Sequence, residues 1–184
     1  MTDAGEAAPS PPVDRGSTTA IRFRFALGLT VLVAFVVRLL HVLSYDPWPT
    51  SDMAVFVDMA TRRLTLPTLF SPQGVCLYPP GYALFLKAFL LVLEPFAAFA
   101  AVRIAQALLG AVTCWLVYRA GRRLHSRRAG LAGALITCFF QHFVFYSSVY
   151  MSENLFIPCF LAAFLAFLRA MQRGGARRLY VAGV

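Results

Sequence analysis

Three things are scarce in this sequence, and each scarcity excludes a class of protein. Cysteine occurs four times in 184 residues, at Cys76, Cys114, Cys138 and Cys159. No CxxC or CxxH spacing is present, so neither a disulfide framework nor a zinc site is read. Three of the four thiols lie in apolar stretches, where they behave as small hydrophobes. Acidic residues are also few: 8 Asp and Glu stand against 17 Lys and Arg, a net charge of +9. That surplus could suit nucleic acid, but the arginines fall in short blocks between apolar runs. This is the charge pattern of membrane-protein loops, and no nucleic-acid partner is read. Finally, there is no internal repeat and no heptad pattern.

What the chain has in quantity is apolar sequence. Hydrophobic residues make up 59%, with a mean hydropathy of +0.68. A soluble core of this length needs far less, so the surplus must face a lipid bilayer. A span needs roughly 20 apolar residues. Residues 1–21 read as a disordered cytoplasmic tail, and 22–184 as one transmembrane region. Within it, Phe25–Leu43, Phe96–Tyr118, Ala129–Met151 and Asn154–Met171 read as spans. The expected fold class is therefore all-α, a polytopic transmembrane helical bundle of about four spans.

Between the first two spans lies a loop, Ser44–Tyr78, with four prolines before Tyr78 and three aspartates. Ser51–Leu64 within it reads as a short amphipathic helix, capped by Ser51 or Asp52. Tyr82–Leu93 follows the string Tyr78-Pro79-Pro80-Gly81-Tyr82. It is short for a span and carries Lys87, so it reads as an interfacial or re-entrant helix. Arg119–Arg128 reads as a loop with five arginines. If that loop and the N-terminus are inside, Asp52 and Glu153 emerge together on the outer face. The expected location is the cell membrane, multi-pass, with the N-terminus cytoplasmic. Arg177–Val184 reads as the start of a further helix, which makes the chain look like a fragment.

Several residues could carry chemistry. Asp52 reads either as a helix cap or as a carboxylate that takes a proton from an acceptor hydroxyl or amine. Asp58, six residues later, points to another helix face. Glu153 stands between two spans, either as a functional acid or as a loop residue touching water. Arg38 reads as a snorkelling cation. Arg103, about two turns into its span, either snorkels or meets a phosphate. Gln141 and His142 read as interhelical hydrogen-bonding groups, and His142 has no second metal ligand at a suitable spacing.

Taken in order, Arg38-Leu39-Leu40-His41, Ser51-Asp52, the YPPGY string, Arg103 with Gly110, the turn Gly121–Arg128 and Tyr146–Glu153 resemble a known family. The chain is similar to the N-terminal part of the C-type integral membrane glycosyltransferases. The nearest branch is the protein mannosyltransferase and aminoarabinose transferase group. The resemblance implies transfer of a sugar from a polyprenyl-phosphate donor to a lipid, glycan or protein acceptor on the outer face. It implies Asp52 as catalytic base. Glu153, Arg103, Tyr78 and Tyr82 are then expected to contact substrate. Met53 follows Asp52, so the paired acidic motif of many members is absent. Complete members have more spans, so part of the donor site is expected to lie outside this chain. No organic cofactor is implied, and a divalent-metal requirement is not legible. The rival readings are a small transporter, disfavoured by acids gathered at one face without a repeat, and a non-catalytic membrane subunit.

Overall fold

A computed structural model describes residues 15–63 and 78–172. Among the described residues every regular element is helical, as expected for a helical membrane bundle. The elements are α1 (Arg15–Ser44), α2 (Asp52–Asp58), α3 (Pro80–Leu90), α4 (Pro95–Leu124), α5 (Arg127–Phe139), α6 (Gln141–Tyr146) and α7 (Glu153–Gln172). A π-helical turn, Met59–Arg63, continues α2. Among the described residues, three helices are long and apolar enough to cross a membrane: α1 from Ala20, α4 and α7. α1 begins at Arg15, inside the stretch read as tail. Residues 1–14, Cys76 and the helix start expected at Arg177–Val184 lie outside the described residues.

α4 is the central element and packs against α1, α3, α5 and α7. Pro95 opens it, at a position where a missing N–H costs no hydrogen bond. Its tightest contact is with α5. A Cβ on Gly121 would lie 2.8 Å from Gly130 Cα, and one on Gly130 would lie 2.6 Å from the Tyr118 carbonyl oxygen. Both neighbours are backbone and cannot yield, so small residues set this approach. Gly130→Leu is expected to force the helices apart at a cost of about 1–3 kcal/mol. Thermal unfolding in detergent checks this, and an unchanged midpoint would refute it.

That close hairpin corrects the five-arginine loop. α4 runs on to Leu124, so Arg119, Arg122 and Arg123 ride on its last turns, while Arg127 and Arg128 open α5. The connection shrinks to His125 and Ser126 because the glycine contact lets the two helices pack to their ends. Ser126 caps α5, its Oγ accepting from the Ala129 N–H at 3.1 Å.

The expected third span, Ala129–Met151, is not one continuous helix. Phe140 is extended, with φ −64° and ψ 113°, and separates α5 from the short α6. Gln141 and His142, expected between helices, lie exposed at this break. Nothing in the local sequence forces it, since neither proline nor glycine is present. What sustains it is Arg38. The side chain is fully buried, not snorkelling as its position near the end of α1 suggested. Its guanidinium donates to the carbonyls of Thr137 (2.9 Å) and Cys138 (3.2 Å), which the broken helix leaves without partners, and to Ala34 (3.0 Å). Gly110 makes the room, since a Cβ there would lie 2.6 Å from Arg38 Cδ.

α1 and α4 run antiparallel: Arg103 meets Tyr45, and Gly110 meets Arg38. The first two turns of α4 therefore reach about 12 Å past the end of α1. α3 folds back along this extension, and α2 with its π turn packs against α3. Phe56, Ala60, Tyr82, Leu86, Val102 and Tyr150 form the buried cluster between them. The segment expected as an interfacial or re-entrant helix thus forms part of a separate helical layer at one end of the bundle.

Candidate functional site

Asp52 is the first residue of α2, and its surroundings are unusual. Ser51, just before it, is the one non-glycine residue with positive φ (51°) among the described residues. Such a backbone costs on the order of 1–3 kcal/mol and persists only where its surroundings impose it. The expected cap is corrected here: Ser51 stands at the N-cap position but makes no side-chain capping bond. Asp52 instead places its charge within the first turn, where the helix N-terminus favours it.

The Asp52 carboxylate has a defined partner. Tyr78 donates its hydroxyl to Asp52 Oδ1 at 3.0 Å. Sharing that proton with a carboxylate raises the Tyr78 pKa above the ordinary tyrosine value, and the negative charge adds to the effect. The hydroxyl therefore stays a donor through the neutral range. The contact depends on the proline pair. Pro79 is extended (φ −66°, ψ 123°) and Pro80 begins α3, so the connector is stiff and turns Tyr78 toward α2.

Tyr82, at the other end of the YPPGY string, has an interior place rather than an open one. It is 2% exposed, and its ring meets Phe56 edge-on at 5.1 Å. Its hydroxyl donates to the Gln106 side-chain oxygen. Burial raises its pKa, with the Tyr150 hydroxyl and the Glu153 carboxylate contributing. Gln106 is fully buried, and its Nε2 donates to the carbonyls of Ser147 and Val149, both at 3.1 Å.

Glu153 opens α7 and is half-buried, with Ser152 Oγ donating to its Oε2 at 3.3 Å. Asn154, beside it, donates from Nδ2 to the carbonyls of Tyr146 (2.7 Å), Val149 (3.1 Å) and Met151 (3.3 Å). Glu153 and Asn154 line a pocket with Arg38, Thr113, Phe143 and Tyr146, next to the break between α5 and α6. Pro158 closes one side of this pocket. Having no N–H, it leaves the carbonyl four residues earlier, that of Asn154, without a helical partner. Polar lining of this kind, beside a broken helix, is what irregular backbone within a membrane bundle requires.

Asp52 and Glu153 flank the same apolar cluster. Met53 and Tyr78 pack on it beside Asp52, while Tyr150 and Leu155 belong to it beside Glu153. Arg103 stands at the end of α1, next to Val102 of this cluster. It donates to Asp46 Oδ1 at 2.6 Å and to the Tyr45 carbonyl at 3.2 Å. Arg103 is 14% exposed and Asp46 is 83% exposed, so the pair is open to solvent on the acid's side. Such a pair contributes about 0–1 kcal/mol. Sequence reasoning missed Gln106 and Asn154 as organisers of the link into α7. The available signal was an amide inside an otherwise apolar span, a group that must find a hydrogen-bond partner on a neighbouring segment.

No curated protein and no solved structure matches the chain. Residues 78–184, however, match the sequence profile of a family described as dolichyl-phosphate-mannose-protein mannosyltransferase. The matched segment starts at Tyr78, the partner of Asp52, and takes in Tyr82, Arg103, Gln106 and Glu153. Asp52 and Arg38 lie ahead of it. With more than half its length matched, and folded as a bundle of apolar helices, the chain belongs to the dolichyl-phosphate-mannose-protein mannosyltransferase family and so to the membrane glycosyltransferases.

Proposed function

We propose that this chain acts in transfer of a sugar from a polyprenyl-phosphate donor to an acceptor on the outer face of the membrane, with Asp52 as general base. The observation that carries this reading is the Tyr78–Asp52 hydrogen bond, which holds a carboxylate in a fixed orientation beside a strained residue. In the reaction the acceptor oxygen or nitrogen bonds to the anomeric carbon and gives its proton to Asp52. The bond from that carbon to the phosphate oxygen breaks, and its electron pair leaves with the polyprenyl phosphate. A phosphate is a good leaving group, so the protein's main work is orientation and proton removal.

Arg103 serves the donor phosphate, exchanging Asp46 for a phosphate group whose two oxygens it can grip bidentately. Glu153, with Asn154 beside it, offers hydrogen-bond acceptors to sugar hydroxyls from the pocket edge. Tyr78 both aligns the base and borders the substrate. Tyr82 acts from beneath, supporting the surface its neighbours form. The assay is transfer of label from a polyprenyl-phosphate sugar in membranes containing the intact protein.

The reading also requires a topology. Arginines gathered at the end of α4 and the start of α5 favour a cytoplasmic position for that end. Single cysteines at positions 52 and 153 are expected to react with an impermeant thiol reagent added outside, and one at position 125 is not. Labelling of position 125 from outside would invert the bundle and end the proposal.

A further inference from the structure

The two acids of the proposed site share no element: Asp52 opens α2, and Glu153 opens α7. One buried side chain lies between the segments that carry them. Gln106, on the central helix α4, is fully buried and uses its amide in both directions. Its oxygen accepts from Tyr82, and its Nε2 donates to the carbonyls of Ser147 and Val149. Those carbonyls belong to the non-helical link between α6 and α7, where the Met151 N–H also donates to the Val149 carbonyl. Asn154 joins the same arrangement from inside α7, donating to the Val149 carbonyl as well. On the other side, Tyr82 sits four residues after Tyr78, across the stiff proline pair, and Tyr78 holds Asp52.

We infer that Gln106 is a positioning residue for transfer, holding the Asp52 segment and the Glu153 segment in register. The inference rests on the transferase reading. An amide buried this deeply is tolerated only when both its ends are bonded, and a fully bonded buried network specifies one arrangement. An apolar residue at 106 could still fill the space in α4. It would take the donor from the Ser147 carbonyl, leave the Val149 carbonyl to Asn154 Nδ2 and the Met151 N–H, and remove the acceptor of the Tyr82 hydroxyl, so α3 would be held less tightly to the link. Displacements near 1 Å at a reacting centre cost roughly 10²-fold in rate.

The test is Gln106→Met in the intact protein, read by amide hydrogen exchange and by steady-state transfer. Exchange is expected to rise in residues 81–84 and 147–152 and to stay unchanged along α1 and α5. kcat is expected to fall about 10²-fold, with KM for the donor held within about threefold. Unchanged exchange in both segments overturns the inference whatever the activity. A raised KM with intact kcat also overturns it, because it makes Gln106 a binding residue. Should the variant fail to insert, Tyr82→Phe tests the same link from the other side. It deletes one hydroxyl and leaves both donor bonds of Gln106. Its exchange is expected to rise at 81–84 alone, with kcat down roughly tenfold, and unchanged kcat overturns the inference. Faster exchange without loss of kcat removes this inference alone. Absence of any transfer from the labelled polyprenyl-phosphate sugar by the parent protein removes the transferase reading, and this inference with it.

Discussion

Asp52→Asn in the intact protein is expected to lower sugar transfer about 10²- to 10⁴-fold, the range over which general bases contribute. The substitution is a clean one here. Asparagine keeps a side-chain oxygen that can still accept from Tyr78, so the loop–α3 contact survives. It keeps the volume at the start of α2, so Met53 and Phe56 still pack into the apolar cluster. What disappears is the negative charge and the capacity to take a proton from the acceptor. Expression and insertion are therefore expected to match the parent, and the loss falls on kcat. Asp58→Asn is expected to do much less, because six residues along a helix turn its side chain to another face. Transfer from a labelled polyprenyl-phosphate sugar in membranes measures both. Near-parental turnover in Asp52→Asn would defeat the assignment, and a larger loss in Asp58→Asn would move the role to Asp58.

The second large effect is on stability. Arg38→Leu is expected to lower the unfolding midpoint in detergent by on the order of 5–10 °C. Two effects oppose each other. Leucine removes the burden of a desolvated cation, which favours the variant. It also strips donors from the Thr137 and Cys138 carbonyls, which stand at the broken end of α5 with no helical partner. An unsatisfied buried acceptor costs about 1–3 kcal/mol, so two of them outweigh the relief where no water reaches them. Leucine is also shorter and leaves a void against Gly110, which now accommodates the guanidinium stem. Arg38→Lys is expected to fall between parent and leucine, because an ammonium keeps the charge but not the two-pronged reach. A leucine variant that melts with the parent would show that the break does not depend on Arg38.

Gly130→Leu and Arg38→Leu probe different parts of the bundle. The first disturbs the α4–α5 contact beside Ser126, while the second disturbs the break between α5 and α6. The sites share no direct contact in the structure, so their costs should add to within roughly 0.5 kcal/mol. A thermal-shift series on the single and double variants measures this.

Composition and spacing alone set the class of the protein and much of its layout. Apolar runs near 20 residues, with arginines between them, admit no solution but membrane helices, because lipid leaves backbone groups nothing else to bond. α1, α4 and α7 accordingly cover three of the four apolar runs read as spans, with α1 starting earlier and α4 ending later than the runs do. The prominence of Asp52, Glu153 and the YPPGY string was also legible, since acids and prolines are conspicuous against an apolar background. Local pattern could not carry the rest. At the break at Phe140, Arg38, about a hundred residues earlier in the chain, supplies donors where the helical partners are missing. The same holds for Arg103, which reads as a lone cation in a span and proves to face Asp46 across the α1–α4 contact. Gln106 looked like a minor interruption of a hydrophobic run, and only its three partners, drawn from α3 and from the link before α7, give it a role. Local sequence sets what each segment can be. A hydrogen-bonding group in a low-dielectric bundle must find its complement wherever the fold brings one, and only the folded chain settles which residue that is.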